Sequence, residues 1–557
     1  MWRWVVLPLL VVLSSACGQS VDRPIINTAG GQVQGTTEPC GLFCTYYSFK
    51  GIPYAQPPLG ALRFTDPVPH AGWSGVRDGS QHGGSCPSPD AFPTESEDCL
   101  YLNVYSPSLV GTRPVMVFIH GGAYRGGSGD DALYGAQHFM TENVVIVTIN
   151  YRLGVLGFLS TGDGSASGNW AIKDCIEALR WVQRNIVAFG GDPTQVTIFG
   201  QSAGGALVHY LTLSPLTAGL FERAIIHSGT ALGSWALQPN PRQYANRLAA
   251  ALGITTTDTA AMVAALRQVP YRSLVALQDD LHGLDVPLLL APIDFGPVVE
   301  PANAPGPKAL DRLPIDIIES GAYRAVPLMV GFLDMDALMF SAAEMVANPG
   351  VFEQFNNNPH LLVPFVWNIQ QGSAQSSAVS GAFRQLYWQS QPLSPALLQE
   401  FTVYLNDHQF GYPHMEMAKR HANRAPVYLF QFRYDGDLNL VKQSLGISMP
   451  GAVHGDELCY LFDTKAFIVG EVPAGSHAIT VRQRMLRLWT NFARYGNPTP
   501  TSDALLQGIS WRPLSAGTID STLNVGHDLV LEPNPIAERY NQWQNLAQQY
   551  GNNIFRV

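Results

Sequence analysis

Val196-Thr197-Ile198-Phe199-Gly200-Gln201-Ser202-Ala203-Gly204 is the stretch that decides how this chain folds. Four strand-forming residues run straight into Gly-x-Ser-x-Gly, and a helix-compatible run, Gly205 to Thr212, follows. A strand buried on both faces of a sheet reads this way. The glycines permit a strained turn whose neighbours approach closely. Such a strand–turn–helix presents a serine hydroxyl at the carboxyl end of the sheet.

Similar apolar runs recur on either side, at Val115–Ile119, Val144–Ile149, Ala224–His227, Val326–Val330 and Val427–Phe432. Helical patterns lie between them. Trp170 to Phe189 places Ile172, Ile176, Leu179 and Val182 at three- and four-residue spacing, and Ile479 to Phe492 does the same with Met485, Leu488 and Trp489. The alternation predicts an α/β protein with a large, mostly parallel central sheet and helices on both faces. The Pro- and Leu-rich stretch from about 258 to 311 is expected to form part of a cap over the sheet edge. No repeat or linker-like shift interrupts the pattern, so residues 19–557 are expected to form one domain.

Composition sets outer limits. The chain has 557 residues, 46% of them hydrophobic and only 14% charged, which favours a well-buried body over a disordered chain. Net charge is −10 and no basic run appears, so nucleic acid is not an expected partner. Residues 1–18 read as a secretory signal: Arg3, an apolar run from Trp4 to Leu13, then small residues up to Gly18. That run is too short to span a bilayer and no later stretch is apolar enough. The mature protein is thus expected outside the cell, without a transmembrane anchor.

A serine nucleophile leaves negative charge on the oxygen of its tetrahedral adduct, and something must donate hydrogen bonds to it. Ile119-His120-Gly121-Gly122-Ala123 closes the run from Val115. It is the H-G-G type of motif from which α/β-hydrolases supply oxyanion N–H groups. The expected donors are the backbone amides of Gly122, Ala123 and Ala203.

Further motifs resemble the type-B carboxylesterases and cholinesterases. They are Ser96-Glu97-Asp98-Cys99-Leu100-Tyr101-Leu102-Asn103, Asn150-Tyr151-Arg152-Leu153-Gly154, Phe189-Gly190-Gly191-Asp192-Pro193 and Trp489-Thr490-Asn491-Phe492-Ala493. The resemblance spans about residues 23 to 550. Gly127-Ser128-Gly129-Asp130 with Leu133-Tyr134-Gly135 looks most like the insect branch, which includes juvenile hormone and odorant-degrading esterases. It implies the α/β-hydrolase fold, ester hydrolysis on a small-molecule ester, and ion pairs Arg63–Glu97 and Arg152–Asp174.

The serine needs a base and the base an orienting carboxylate. Among 14 histidines, His454 stands in Gly451-Ala452-Val453-His454-Gly455, which resembles the family's G-x-x-H segment. His82, His227 and His120 are its rivals, and His120 is expected to support the oxyanion loop. For the acid, the family usually has Glu after a strand. Here Asp336 takes that position in register, one methylene shorter, with Asp334 as rival and Ala337 in place of the usual glycine. Ser202, Asp336 and His454 keep the α/β-hydrolase order of serine, acid, histidine.

Six cysteines remain beyond the signal segment, and a secreted chain can oxidise them. Cys86–Cys99 is the first expected pair, and the resemblance supports it. Cys40–Cys44 requires a hairpin. Cys175 and Cys459 sit in apolar surroundings and read as buried thiols. No metal-ligand spacing occurs and no cofactor or metal is expected.

Gln201 is neutral where cholinesterase-like members carry Glu, and the loop closed by Cys86 and Cys99 is too short for their aromatic cation platform, so choline esters are disfavoured. Trp235 is a candidate wall of the substrate pocket, and Arg125 a candidate contact for a polar group. The function expected is hydrolysis of small to medium apolar esters through an acyl-enzyme. The alternative is a weak or inactive relative that serves in binding or adhesion.

Overall fold

The computed structural model describes residues 23–41, 44–89, 94–281, 290–348, 350–466, 472–473, 475–551 and 554–556. The expected signal segment, 1–18, lies outside the described residues. Eleven strands form the central sheet: β1 Thr36–Gly41, β2 Cys44–Pro53, β3 Tyr101–Ser106, β4 Arg113–Ile119, β5 Val145–Ile149, β6 Gly191–Gln201, β7 Arg223–His227, β8 Leu328–Leu333, β9 Val427–Phe432, β10 Thr522–Val525 and β11 Leu529–Glu532. Their spatial order is β11-β10-β9-β8-β7-β6-β4-β5-β3-β2-β1. The run from β10 to β5 is parallel, and both margins are antiparallel. The α/β expectation thus holds, with a mixed sheet.

Alternation along the strands explains why the sheet is covered twice. Val115, Val117 and Ile119 of β4 join one apolar cluster while Met116 and Phe118 join the other. In β8, Leu328, Val330 and Phe332 face the first cluster and Met329 and Leu333 the second. The helices Trp170–Asn185 and Ala203–Leu213 pack into the first cluster, and His477–Tyr495 into the second. All six runs read as strands are strands, with ends moved by a few residues. The Val326 run starts later, at Leu328. Pro327 has no N–H to give to a ladder.

The outer strands were not legible. β1, β2, β10 and β11 mix Thr, Tyr, Ser, Lys and Glu, and β3 lies inside a motif read for its resemblance. The stretch between 258 and 311, expected to form part of a cap, supplies helices Thr259–Gln268 and Tyr271–Leu277, and its residues Gln278 and Ala291 to Phe295 line a cavity that Ser202 also lines. Residues 282–289 of it lie outside the described residues.

Strand order reverses between β4 and β6. Chain neighbours diverge there, and in open α/β sheets the crevice at such a switch is where ligands bind. The loop after β4 and Ser202 after β6 both open into it.

Candidate active site

Ser202 links β6 to the helix Ala203–Leu213 in a strained conformation, φ 59° and ψ −128°. Three contacts show why the turn needs glycine. A Cβ on Gly204 would lie 2.0 Å from the Ile119 carbonyl oxygen, one on Gly200 2.5 Å from the Gly204 oxygen, and one on Gly121 2.8 Å from the Gln201 oxygen. The turn is pinned by Ser202 N–H donating to the His227 carbonyl at 2.9 Å.

The loop after β4 stands against that turn. Gly122, Ala123 and Tyr124 all have positive φ, 110°, 52° and 59°. The N–H groups of Gly122 and Ala123 have no acceptor among the described residues, and Ala203 opens a helix, so its N–H has no intrahelical acceptor. His120 buttresses this loop. Its Nδ1 lies 2.8 Å from the Gly121 carbonyl, and its ring stacks on Tyr151 at 4.4 Å. Burial holds His120 down to about 4, so it stays neutral.

His454 lies in the loop after β9, and Asp336 in the turn after β8. His454 Nδ1 and Asp336 Oδ1 are 2.8 Å apart. Asp336 is fully buried, and its Oδ2 accepts from Ser228 Oγ at 2.7 Å and from the Leu333 N–H at 2.7 Å. Asp334 does something else: its Oδ1 accepts from the Ala452 N–H at 2.9 Å, tying the acid turn to the histidine loop. Burial raises Asp334 to about 6. His454 Nε2 is buried with no hydrogen-bond partner among the described residues, and the ring packs between Phe340 and Phe410 at 5.1 and 5.2 Å. Ser202 and His454 line one cavity, but no hydrogen bond joins them.

The rival histidines are occupied elsewhere. His82 sits between Asn103 Oδ1 at 3.0 Å and Asp131 Oδ1 at 2.9 Å. His227 Nε2 accepts from Trp489 Nε1 at 2.8 Å, so its Nδ1–H faces Glu457 Oε1 at 3.2 Å. Burial pushes His227 down to about 3. It also raises Glu457 to about 8, and the nearby Asp336 carboxylate adds to that rise.

The cavity measures about 790 Å³. Gly122, Ala123, Gln201, Ser202 and His454 line it, together with the apolar side chains of Trp235, Phe295, Met339, Phe340 and Phe410. Arg125, Asp294 and Glu344 also border it, and Arg125 is exposed. Sequence reasoning passed over Ser228, although Ser228-Gly229 directly follows a strand. It passed over Phe340 and Phe410 as well, which nothing in the local pattern separates from core residues. Among the described residues no group of three His, Cys, Asp or Glu side chains is arranged to hold a metal.

Among the described residues two disulfides occur, Cys86–Cys99 and Cys40–Cys44, the second within the β1–β2 hairpin at the edge of the sheet. Cys175 and Cys459 are buried thiols. Arg63 meets Glu97 through two bonds of 2.7 and 2.6 Å, and Arg152 meets Asp174 at 2.8 and 2.7 Å.

The model of the carboxylesterase family matches residues 22–543. The chain belongs to the carboxylesterase family. This carboxylesterase is 32% identical to a juvenile hormone esterase of Tribolium castaneum over 545 residues, 92% of this chain and 90% of that one. It is 32% identical to human neuroligin-2 over 85% of this chain and 61% of that one. Among solved structures it resembles the juvenile hormone esterase from Manduca sexta with OTFP covalently attached, at a TM-score of 0.83 and 29% identity, covering 95% of this chain and all of that one. The fold is therefore the α/β-hydrolase fold, and the carboxylesterase is a carboxylic ester hydrolase. No helix among its described residues is long and apolar enough to cross a membrane.

Proposed function

We propose that this carboxylesterase is secreted and cleaves uncharged esters of small to medium size, with Ser202 as nucleophile, His454 as base and Asp336 as orienting acid. The observation that carries the reading is the His454–Asp336 bond of 2.8 Å at the wall of the cavity that Ser202 also lines. The Asp336 contact fixes the proton on Nδ1 and leaves Nε2 as the acceptor. His454 Nε2 takes the Ser202 hydroxyl proton as Oγ bonds to the ester carbonyl carbon. The amides of Gly122, Ala123 and Ala203 hold the resulting oxyanion. The carbon–oxygen bond to the alcohol breaks, and His454 returns the proton to the leaving oxygen. Water, deprotonated by His454, then releases the acid and restores the serine.

Space and lining support the substrate class. About 790 Å³ lies within the range of sites for drug-sized ligands. The aromatic and aliphatic wall favours an apolar chain, and Gln201 beside the serine offers no charge to a cationic alcohol.

The test is hydrolysis of a short aryl ester by purified protein beside Ser202→Ala, followed by a panel of aliphatic acetates, longer acyl esters and terpenoid methyl esters. Loss of the nucleophile should lower kcat by a factor on the order of 10⁶. Equal rates for the two proteins would sink the assignment of Ser202. The neuroligin-2 relative supports a second reading, a binding or adhesion protein with weak or lost catalysis. Absence of turnover on the whole panel would favour it.

A further inference from the structure

The turn that carries Asp336 is held by a residue far away in sequence. Asn406 is the last residue of the helix Leu398–Asn406 and is 2% exposed. Its Oδ1 accepts from the Ala337 N–H at 3.0 Å, and its Nδ2 donates to the Leu333 carbonyl at 3.3 Å. One carboxamide thus bridges both ends of the segment from 333 to 337. Within that segment Asp336 Oδ2 accepts from the Leu333 N–H, so Leu333 is fixed at its N–H by the acid and at its carbonyl by Asn406.

The same stretch of chain also bears on the base. After Asn406 the helix widens into a π turn, Asp407–Gly411, before continuing as Tyr412–His421. Wide turns of this kind are rare and recur at functional sites. Phe410 packs on the His454 ring at 5.2 Å, and Gln409 lines the cavity. Asp407 is anchored by Arg539 of the helix Ala537–Tyr550 and by Tyr387 Oη at 2.7 Å. A short carboxylate tolerates little error. An aspartate has a single methylene between backbone and carboxyl group, so the position of its backbone sets how near it comes to the imidazole.

We propose that Asn406 is a positioning residue for the acid: its carboxamide holds the 333–337 turn where Asp336 reaches His454. The proposal rests on the reading of Asp336 as the orienting acid. With the bridge cut, the turn retreats and the Asp336–His454 bond lengthens. A displacement of about 1 Å at a reacting group costs on the order of 10²-fold in rate. A glutamate at 336 would span the gap left by a retreated turn, but would crowd the imidazole while the bridge is intact.

A double-mutant cycle tests this. Asn406→Ala should lower kcat for a short aryl ester by about 10- to 100-fold while KM changes by less than about threefold. Asp336→Glu alone should also be slow. The double variant should be faster than Asn406→Ala, because the longer side chain reaches from the displaced turn. Losses that multiply, or a rise in KM at unchanged kcat, would overturn the proposal. If Asn406→Ala does not fold by circular dichroism, Asn406→Asp takes its place: it keeps the shape and the acceptor for Ala337 but loses the donor to Leu333. Asp336→Asn separates the two levels. Wild-type kcat in that variant would refute the reading of the acid itself, whereas its loss beside a multiplicative cycle refutes only the role of Asn406.

Discussion

Adding one methyl group to Gly204 should separate the nucleophile from its oxyanion loop. A Cβ there would stand 2.0 Å from the Ile119 carbonyl oxygen and 2.5 Å from that of His120. Both neighbours are backbone, at the end of β4 where the Gly122 and Ala123 donors begin. Relief from 2.0 Å to ordinary contact near 3.4 Å requires about 1.4 Å of movement between β4 and the nucleophile turn. Overpacking of this kind costs about 1–3 kcal/mol of stability, and a displacement of that size costs on the order of 10²-fold in rate. Gly204→Ala should therefore lower Tm by several degrees and reduce kcat far more than it raises KM. The control is the same chemical change at Gly381, in the helix Ala374–Trp388, where nothing lies within 4 Å of the added carbon. Gly381→Ala should leave kcat unchanged and raise stability by about 0.5–1 kcal/mol. Steady-state kinetics on a short aryl ester and thermal unfolding of the three proteins decide the matter. Wild-type kcat in Gly204→Ala, with Tm unmoved, would refute the account of the turn.

Two further outcomes follow from buried charge. Glu457 is raised from the usual glutamate value to about 8, so the folded state favours its neutral form; the resulting loss of stability develops as pH rises from about 4.5, where an unfolded glutamate ionises, to about 8. Glu457→Gln keeps an acceptor for His227 and should match wild type in Tm near pH 4, yet exceed it at pH 8 by an amount equivalent to a few kcal/mol; parallel Tm curves over that range would contradict the assignment. Arg152→Met should destabilise the protein by about 3–5 kcal/mol, because it leaves the fully buried Asp174 carboxylate without its two guanidinium bonds, and an unchanged midpoint in urea would count against that cost.

The sequence alone decided the parts of this protein that local chemistry dictates. Strands with both faces buried must be apolar throughout, so β4 to β9 stand out in the primary structure. A turn in which a methyl group would strike the backbone must be glycine, which marks the approach to Ser202 and the loop after Ile119. Motif likeness then pointed to His454 and to the Cys86–Cys99 pair. The tertiary structure decided what depends on distance between remote segments. Asp334 and Asp336 lie two residues apart on one turn, and only the path of that turn sends Asp336 to His454 and Asp334 to the Ala452 N–H. Ser228 and Asn406 reach the same turn across 108 and 69 residues of chain, from Ser228 to Asp336 and from Asn406 to Ala337. No periodicity or spacing encodes such contacts, because a hydrogen bond between distant segments leaves no local pattern in either one. The outermost strands were hidden for a different reason: β1 and β11 are partly exposed at the sheet margins and carry polar residues, so they show no long apolar run.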